Sequence, residues 1–242
     1  MTFLKYIADF FFSLRTTLWL LAVSLVFMFA GAFIMPGKNE FRELHSTPLI
    51  EWIQNQPLNL TWWLWCLIGL LAVLTVNTLF CSVESIVKKR KVTQWLLLIS
   101  PQIIHIGFLF ILLAHLLSGL GASQKLLPAR EGTQLKIAGN DTVLKVNNIN
   151  IKMDYYGNLE DWAVAVEYLS KGKSFLKDTI RPNNPSVWQG FNINVKDLRA
   201  YPVKAVLLQI NREPGALWAL VGGIVFTVGI VILILLKIKL EK

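Results

Sequence analysis

The residues best suited to chemistry in this sequence surround His105. They form the stretch Ser100-Pro101-Gln102-Ile103-Ile104-His105-Ile106-Gly107, which opens the third of the long apolar runs. An ionisable side chain inside such a run is costly, so it is usually retained for a function. Imidazole is also the side chain best suited to ligate a metal or a haem iron there. The alternative is a histidine buried at a helix contact, where a neighbouring hydroxyl or carbonyl group satisfies its ring.

The composition of the chain indicates a membrane protein. Of its 242 residues, 54% are hydrophobic and 16% are charged, whereas soluble domains carry about 25% charged residues. The shortfall lies in four long apolar runs. The sequence therefore predicts an integral membrane protein that carries one polar domain.

The net charge of +9 is concentrated at helix ends, which is not the pattern of a nucleic-acid-binding surface. Basic residues directly follow two of the apolar runs: Lys88, Lys89, Arg90 and Lys91 after the second, and Lys237, Lys239 and Lys242 after the fourth. Lysine and arginine concentrate beside the cytoplasmic ends of membrane helices. We therefore expect no nucleic-acid partner, and we expect both chain termini on the cytoplasmic side.

The apolar runs predict four transmembrane helices. The N-terminal membrane part, 1–120, is expected to hold spans at about 16–35, 62–80 and 101–120, with an external loop at 36–60 and a cytoplasmic loop at 81–94. The segment 214–242 is expected to form a fourth span, from Gly215 to Leu236, and a cytoplasmic tail. Three glycines in this span are expected to leave room for a close helix contact: Gly222, Gly223 and Gly229.

Pro101 decides where the third span begins. A longer helix that starts at Trp95 would be kinked by Pro101, whereas a helix that starts at Pro101, with Ser100 as its cap, has the length of one membrane crossing. We favour the second interpretation, with 92–99 as an interfacial or bent lead-in. It places His105 roughly one turn above the inner headgroups.

Residues 121–213 follow a different pattern, because apolar and polar residues alternate, as in Thr142-Val143-Leu144-Lys145-Val146. Alternation predicts strands with one buried face, and Gly139-Asn140-Asp141 and Lys171-Gly172 predict turns. We expect about six strands, near 133–138, 142–154, 161–169, 173–180, 188–198 and 203–211. The predicted fold is thus four transmembrane α-helices with one external antiparallel β domain between the third and fourth helices.

The sequence offers little support for catalysis. It contains no GxSxG or HExxH pattern, no phosphate-binding glycine loop and no carboxylate in the apolar runs, so hydrolysis, phosphoryl transfer and proton-coupled transport are not indicated. The two cysteines, Cys66 and Cys81, form no CxxC, CxxCH or zinc-binding spacing, which argues against a thiol oxidoreductase and a c-type cytochrome. We therefore expect a chain without catalytic residues of its own, in which the cysteines serve as buried small apolar residues.

A membrane haem is the remaining specific possibility. The chain has three histidines, of which His105 and His115 share one predicted helix and His45 lies in a loop. A haem held between two transmembrane histidines requires them on separate helices facing each other. His105 therefore lacks a transmembrane histidine partner in its own chain, so a second ligand would come from another subunit, or the iron would be five-coordinate.

The side chains that share a helix face with His105 are apolar. They are Phe108, Leu109, Leu112 and Leu116, at i+3, i+4, i+7 and i+11. These residues are candidates for the wall of a pocket for a flat apolar ligand. The alternative is ordinary helix packing or contact with lipid.

Five groups of segments, in order along the chain, match one protein family together. They are Ser13-Leu14-Arg15-Thr16-Thr17 with Ile34-Met35-Pro36, Trp62-Trp63 through Asn77 and Cys81, His105-Ile106-Gly107, Arg181-Pro182-Asn183-Asn184-Pro185 with Trp188-Gln189-Gly190-Phe191, and Pro214-Gly215. They resemble the corresponding parts of the ResB proteins, also called CcsB, of cytochrome c biogenesis. The external domain is shorter than is usual in that family, so the resemblance is to a short form.

The resemblance implies a subunit of the System II machinery for cytochrome c maturation. In that family the chain works with a CcsA-type membrane protein, which carries a tryptophan-rich WWD segment and histidines of its own. The pair is held to move haem b outward and to join its vinyl groups to the CxxCH thiols of an apocytochrome c. By position, His105 matches the family's transmembrane haem ligand. The implied location is the bacterial inner membrane, with the β domain on the periplasmic side.

The sequence leaves two other functions open. The chain would be a scaffold if it held the CcsA-type partner and the apocytochrome without binding haem itself. It would be an electron-transfer anchor if it held a stable haem for a quinol-linked oxidoreductase.

Overall fold

The computed structural model describes residues 10–88, 95–137 and 142–240. Contacts divide the chain into two compact units, one formed by Met1–Ala122 with Pro214–Lys242 and the other by Ser123–Glu213. Several sequence expectations lie outside the described residues: the lead-in at 92–94, the basic residues Lys89, Arg90 and Lys91, the turn at 139–141 and Lys242.

The first unit is helical. Its α-helices are α1 (Leu14–Ile34), α2 (Leu49–Asn55), α3 (Leu58–Lys88), α4 (Trp95–Gly121) and α5 (Ala216–Leu240), with a 3₁₀ helix at Asn39–His45. Four of them, α1, α3, α4 and α5, are long and apolar enough to cross a membrane. Together with the antiparallel β unit described below, they confirm the predicted fold class.

The third membrane helix starts earlier than expected, although its apolar span, Ile99–Gly121, is close to the predicted span 101–120. α4 begins at Trp95 and continues through Pro101 to Gly121. Proline inside an apolar helix is tolerated because neighbouring helices and local adjustments compensate for the missing N–H bond. The other membrane helices also differ from expectation, since α3 extends beyond the predicted span 62–80 at both ends.

α4 and α5 form the closest helix pair, and glycines allow their backbones to approach. A Cβ built at Gly107 would collide with the backbone of Phe226. A Cβ at Gly222 would lie 2.9 Å from the carbonyl oxygen of Gly107. The expected close contact is therefore confirmed at Gly222 and at Gly229, whose Cβ would lie 2.8 Å from the backbone nitrogen of Ile104, but not at Gly223, which faces open space.

α1 packs on α3 through a buried polar contact. The Thr17 hydroxyl donates to the Asn77 side-chain oxygen at 2.5 Å, and the Asn77 amide donates to the Phe11 carbonyl at 2.9 Å. Asn77 is fully buried. In an apolar surrounding these bonds satisfy groups that would otherwise be costly to bury, so they fix the start of α1 against the C-terminal half of α3.

The short helix α2 is held against the longer helices by its apolar face. Trp52 and Ile53 are 2% and 1% exposed and pack in one cluster with Phe41, Leu60 and Trp63. The Trp52 indole donates to the Glu40 carbonyl at 3.1 Å, which satisfies its buried N–H. This cluster fixes the segment that connects α1 to α3.

The second unit is a β-sandwich of eight strands. They are β1 (Ser123–Ala129), β2 (Gln134–Lys136), β3 (Thr142–Met153), β4 (Leu159–Ser170), β5 (Lys173–Ile180), β6 (Ser186–Trp188), β7 (Phe191–Arg199) and β8 (Ala205–Arg212). Two antiparallel four-stranded sheets have the orders β1-β8-β7-β6 and β2-β3-β4-β5. Buried side chains of both sheets, such as Val166 and Leu208, meet in one core.

Six of these strands match the predicted ones closely, whereas β1 and β6 were not predicted. β1 contains Pro128 at the edge of its sheet, and β6 is only three residues long, so neither produces a clear alternating pattern. The predicted turn at Lys171-Gly172 is confirmed, because both residues have positive φ angles, 49° and 77°.

Candidate functional site

His105 is a half-buried residue of α4. Because α4 begins at Trp95, His105 lies about 15 Å along the helix from its first residue. The start of the helix does not mark the edge of the membrane, so the apolar span is the better reference for the depth of His105. Within the apolar span Ile99–Gly121, it lies about 9 Å from the beginning.

A serine of the preceding membrane helix contacts the His105 ring. The Ser82 hydroxyl oxygen lies 2.7 Å from the Nδ1 atom of His105. The same hydroxyl donates to the carbonyl oxygen of Thr78, one turn earlier in α3, at 2.7 Å. One of the two ring nitrogens is thus hydrogen-bonded to a hydroxyl group of a neighbouring helix.

The ring of His105 projects from the side of α4 opposite to α5. The residues of α4 that approach α5 are Gly107, Ile111 and Ala114, and helical periodicity places His105 across the helix axis from them. α3 approaches the His105 side through Ser82. Hence the imidazole lies on the α3 side of α4, away from the tight glycine contact.

The predicted pocket residues Phe108, Leu109 and Leu112 share this side of α4, because α4 is one continuous helix past His105. All three are half-buried, and Leu116, at the far end of the row, is 55% exposed. They form a continuous apolar surface beside the imidazole. Whether that surface covers a ligand stays a prediction.

Two polar side chains near the start of the apolar span have no hydrogen-bond partner among the described residues. Ser100 and Gln102 are 0% and 7% exposed, and the Ser100 hydroxyl and both polar atoms of the Gln102 amide are unsatisfied. A buried amide without partners costs roughly 1–3 kcal/mol. Gln102 is three residues before His105 and lies on the same side of α4, where its amide atoms are enclosed by this chain.

The remaining candidate residues are not brought together with His105. His115 is exposed on another face of α4, and His45 lies at the end of the 3₁₀ helix. Both cysteines are free; Cys66 is exposed, and the Cys81 thiol contacts the Phe11 carbonyl at 3.5 Å. In the described part of the chain, no group of three or more His, Cys, Asp or Glu side chains is arranged to hold a metal ion.

Sequence reasoning missed a buried polar chain in the β unit. The Ser186 hydroxyl donates to the Asp178 carboxylate at 2.6 Å, and the Tyr168 hydroxyl lies 2.7 Å from the Ser186 oxygen. Because Ser186 has a single proton, Tyr168 is the donor to Ser186. Burial raises the pKa of Tyr168, and the nearby Asp178 charge raises this pKa further, while the bond to Ser186 lowers it.

An open cleft of about 460 Å³ lies beside this chain, with Asn147, Thr179 and Arg181 among its lining residues. It contains charges of both signs, since Lys177 and Asp178 also line it. The Asp178 carboxylate is already engaged by Ser186. The cleft is therefore not selective for one sign of charge.

The fold and the site define a class: a membrane protein with four membrane-spanning helices, an inserted antiparallel β-sandwich and a hydrogen-bonded histidine in the third span. No protein-family model matches the sequence, and no curated protein sequence matches it.

Among solved structures, the chain is similar to a cytochrome c haem lyase, CcmF, with a TM-score of 0.47 and 11% sequence identity. The match covers 91% of this chain and 34% of that chain, so this chain spans about a third of the CcmF length. At this TM-score and identity, the likeness by itself establishes neither a shared fold nor a shared function.

Proposed function

We propose that this chain is a haem-handling subunit of a System II cytochrome c maturation complex, similar to the ResB or CcsB proteins. The observation that carries the proposal is His105, an imidazole in an apolar helix with one ring nitrogen bonded to Ser82. An intramembrane histidine oriented by a partner group is typical of a metal ligand. The ordered match of segments in all four spans to this family supports the same function.

The residues around His105 fit a haem better than a bare metal ion. A metal ion held by protein alone needs several ligands, and the described residues offer no such cluster. Haem brings four nitrogen ligands of its own, so one imidazole from this chain is sufficient. The apolar row Phe108, Leu109 and Leu112 suits the face of a porphyrin, and we propose that it excludes water from that face.

The second axial position is proposed to be filled by a CcsA-type partner. The whole sequence contains three histidines, and His105 and His115 lie on one helix. Two side chains of one straight helix cannot approach the same iron from opposite faces.

The roles of the chain's own residues follow from this arrangement. His105 would bind haem b through its Nε2 atom, Ser82 would hold the ring, and the apolar row would keep the site dry. Haem supplies the vinyl groups that become thioether links to the CxxCH thiols of apocytochrome c. We propose that the chain binds and orients haem, that the β unit presents the apocytochrome, and that attachment requires the partner.

The proposed location is the bacterial inner membrane, with both termini in the cytoplasm and the β unit in the periplasm. Lys237 and Lys239 lie in the last turn of α5, where basic residues favour the cytoplasmic side. An even number of spans places the two termini on the same side. The β unit, inserted between α4 and α5, then lies on the opposite side.

The test is the haem content of the complex purified with its CcsA-type partner. We expect His105→Ala to lose most of the bound haem and to abolish cytochrome c maturation, because no other histidine in the chain can replace the ligand. His115→Ala is the matched control, since His115 lies on the same helix but is exposed on another face. The control is expected to retain the haem spectrum and the cytochrome c yield.

The same variants distinguish the scaffold and the electron-transfer anchor from the haem-handling subunit. Normal haem content and normal cytochrome c yield in His105→Ala would contradict the proposal. If, in addition, the complex fails to assemble when 123–213 is deleted, the chain is a scaffold. A stable haem that is reduced reversibly by quinol would instead identify an electron-transfer anchor.

A further inference from the structure

We propose that Ser82 is a positioning residue that holds His105 in the tautomer with its proton on Nδ1, and so presents the Nε2 lone pair for coordination. The identity of the coordinated iron rests on the function proposed above. The tautomer itself follows from hydrogen bonds within this chain.

The argument begins with the single proton of the Ser82 hydroxyl. The Thr78 carbonyl oxygen, at 2.7 Å from Ser82 Oγ, can only accept a hydrogen bond. The hydroxyl proton therefore lies between these two oxygens. Ser82 has no second proton to donate to the histidine ring.

The contact between Ser82 and His105 then fixes the ring proton. The Ser82 oxygen and the Nδ1 atom are 2.7 Å apart, which is a hydrogen-bond distance. Since Ser82 can only accept in this direction, Nδ1 must donate. A neutral imidazole with Nδ1–H carries its lone pair on Nε2, the nitrogen through which a histidine binds a metal when its other nitrogen is a donor.

The pairing also sets the orientation of the ring in a way that packing alone would not. Ser82 belongs to α3 and His105 to α4, so the bond joins two separate helices and holds Nδ1 towards α3. The bond between Ser82 and Thr78 joins residues four apart in one helix, which holds the serine side chain in one rotamer. Donor–acceptor pairs of this kind around metal-binding histidines typically contribute a factor of about 10–100 to metal affinity.

The first experiment records ¹⁵N NMR spectra of the full, haem-free chain in lipid nanodiscs, labelled at histidine nitrogens. His105 is assigned as the signal that is absent in His105→Ala. We expect the wild-type ring to be protonated at Nδ1 and unprotonated at Nε2. In Ser82→Ala we expect the proton to move to Nε2, the form that a histidine favours when nothing accepts from Nδ1.

The matched control for Ser82→Ala is Ser24→Ala. Ser24 is a buried serine of α1 whose hydroxyl donates to the Leu20 carbonyl at 2.8 Å, so both variants remove the same kind of bond within a helix. Ser24→Ala is expected to leave the His105 tautomer unchanged. Ser82→Thr, which keeps a hydroxyl, is expected to preserve the wild-type tautomer.

The second experiment measures haem binding by the chain with its partner. Ser82→Ala is expected to weaken haem affinity about 10- to 100-fold, and Ser82→Thr to restore it. An unchanged tautomer in Ser82→Ala, or a proton on Nε2 in the wild-type chain, would overturn the inference even if His105 binds haem. Loss of the Nδ1 proton in Ser82→Ala together with normal haem in His105→Ala would instead contradict the proposed function and leave the tautomer assignment standing.

Discussion

At the scale of single residues, the hydroxyl contact that the sequence offered as one interpretation of His105 is present, whereas its role as a haem ligand stays a prediction. A neighbouring hydroxyl does bond to the ring, as expected of a buried histidine, and this bond leaves the other nitrogen unprotonated. The sequence could not identify Ser82 as the partner, because the register between α3 and α4 is not encoded in any local pattern. Ser82 is 23 residues from His105 in the sequence, and nothing in its local pattern distinguishes it from other serines at the end of an apolar run.

Gln102 provides a prediction at this scale. Its buried amide has no partner among the described residues, so Gln102→Leu is expected to stabilise the isolated chain by roughly 1–3 kcal/mol. In the complex the same variant is expected to leave haem retention unchanged, because the enclosed amide atoms of Gln102 are not accessible to haem or to a partner. The measurements are the thermal midpoint of the isolated chain and the haem content of the complex.

Ser118→Ala in the same helix serves as the comparison for Gln102→Leu. Ser118 lies where α4 contacts the start of α5, since a Cβ built at Gly215 would collide with the Ser118 hydroxyl oxygen. This position is far along α4 from the proposed site. A Gln102→Leu chain that is less stable alone, or that loses haem in the complex, would contradict the prediction.

At the scale of the elements, the glycines of α5 explain what fixes the orientation of α4 about its own axis. Gly222 faces the backbone of Gly107 and Ile111, whereas the adjacent Gly223 faces open space. This contact directs the opposite side of α4, with His105, towards α3. The sequence predicted close packing of α5 but could not separate Gly222 from Gly223, because the facing helix was not known.

The adjacent glycines Gly222 and Gly223 allow a prediction in which one variant is the control for the other. Gly222→Ala places a Cβ 2.9 Å from the Ile111 backbone nitrogen, so the helices must separate, at a cost of about 1–3 kcal/mol. Gly223→Ala adds the same methyl group without a contact. We expect only Gly222→Ala to lower the thermal midpoint and to disturb the ¹⁵N signal of His105. Equal effects of both variants would show that the α4–α5 contact is not the constraint.

The strands of the β unit were predictable to the extent that their burial alternates. Burial alternates in the first part of β3 and the second part of β4, and both strands were located within two residues at either end. β1 and β6 were missed, because an edge strand with proline and a three-residue strand depend on their neighbours for their conformation. The buried chain Tyr168–Ser186–Asp178 likewise joins residues of three strands, which no spacing in the sequence reveals.

Tyr168 gives the β unit a predictable response to alkali. Its pKa is raised above the ordinary value of about 10, so the neutral phenol stabilises the folded state. This contribution is complete below the unfolded-state pKa and is lost as the pH rises through the folded-state pKa. We expect the β strands to lose hydrogen-exchange protection above about pH 10.

Tyr168→Phe is expected to remove this alkaline loss, while costing about 1 kcal/mol at neutral pH through the lost bond to Ser186. The comparison is Tyr155→Phe, because Tyr155 is 97% exposed and lies outside the hydrogen-bonded chain Tyr168–Ser186–Asp178. An alkaline transition that persists unchanged in Tyr168→Phe would assign it to another group.

At the scale of the whole molecule, the chain combines a helical membrane unit, which contains His105, with a β-sandwich that has its own core. The four spans and the β insertion could be predicted from hydropathy and alternation, since both patterns follow directly from the surroundings of each segment. The start of α4 could not, because a proline is compatible with the first turn of a helix and, in apolar surroundings, with its interior. The proposed haem site would take one ligand from this chain, so the function is proposed for a complex.

The central claim is that His105 ligates haem in the complex with the CcsA-type partner, and imidazole rescue tests it most directly. His105→Gly removes the side chain and leaves space for free imidazole, while His115→Gly is the control on the same helix. We predict that the His105→Gly complex lacks the haem absorption of the wild type and regains it when imidazole is added, and that His115→Gly needs no imidazole. Wild-type haem absorption in His105→Gly without imidazole would contradict the claim.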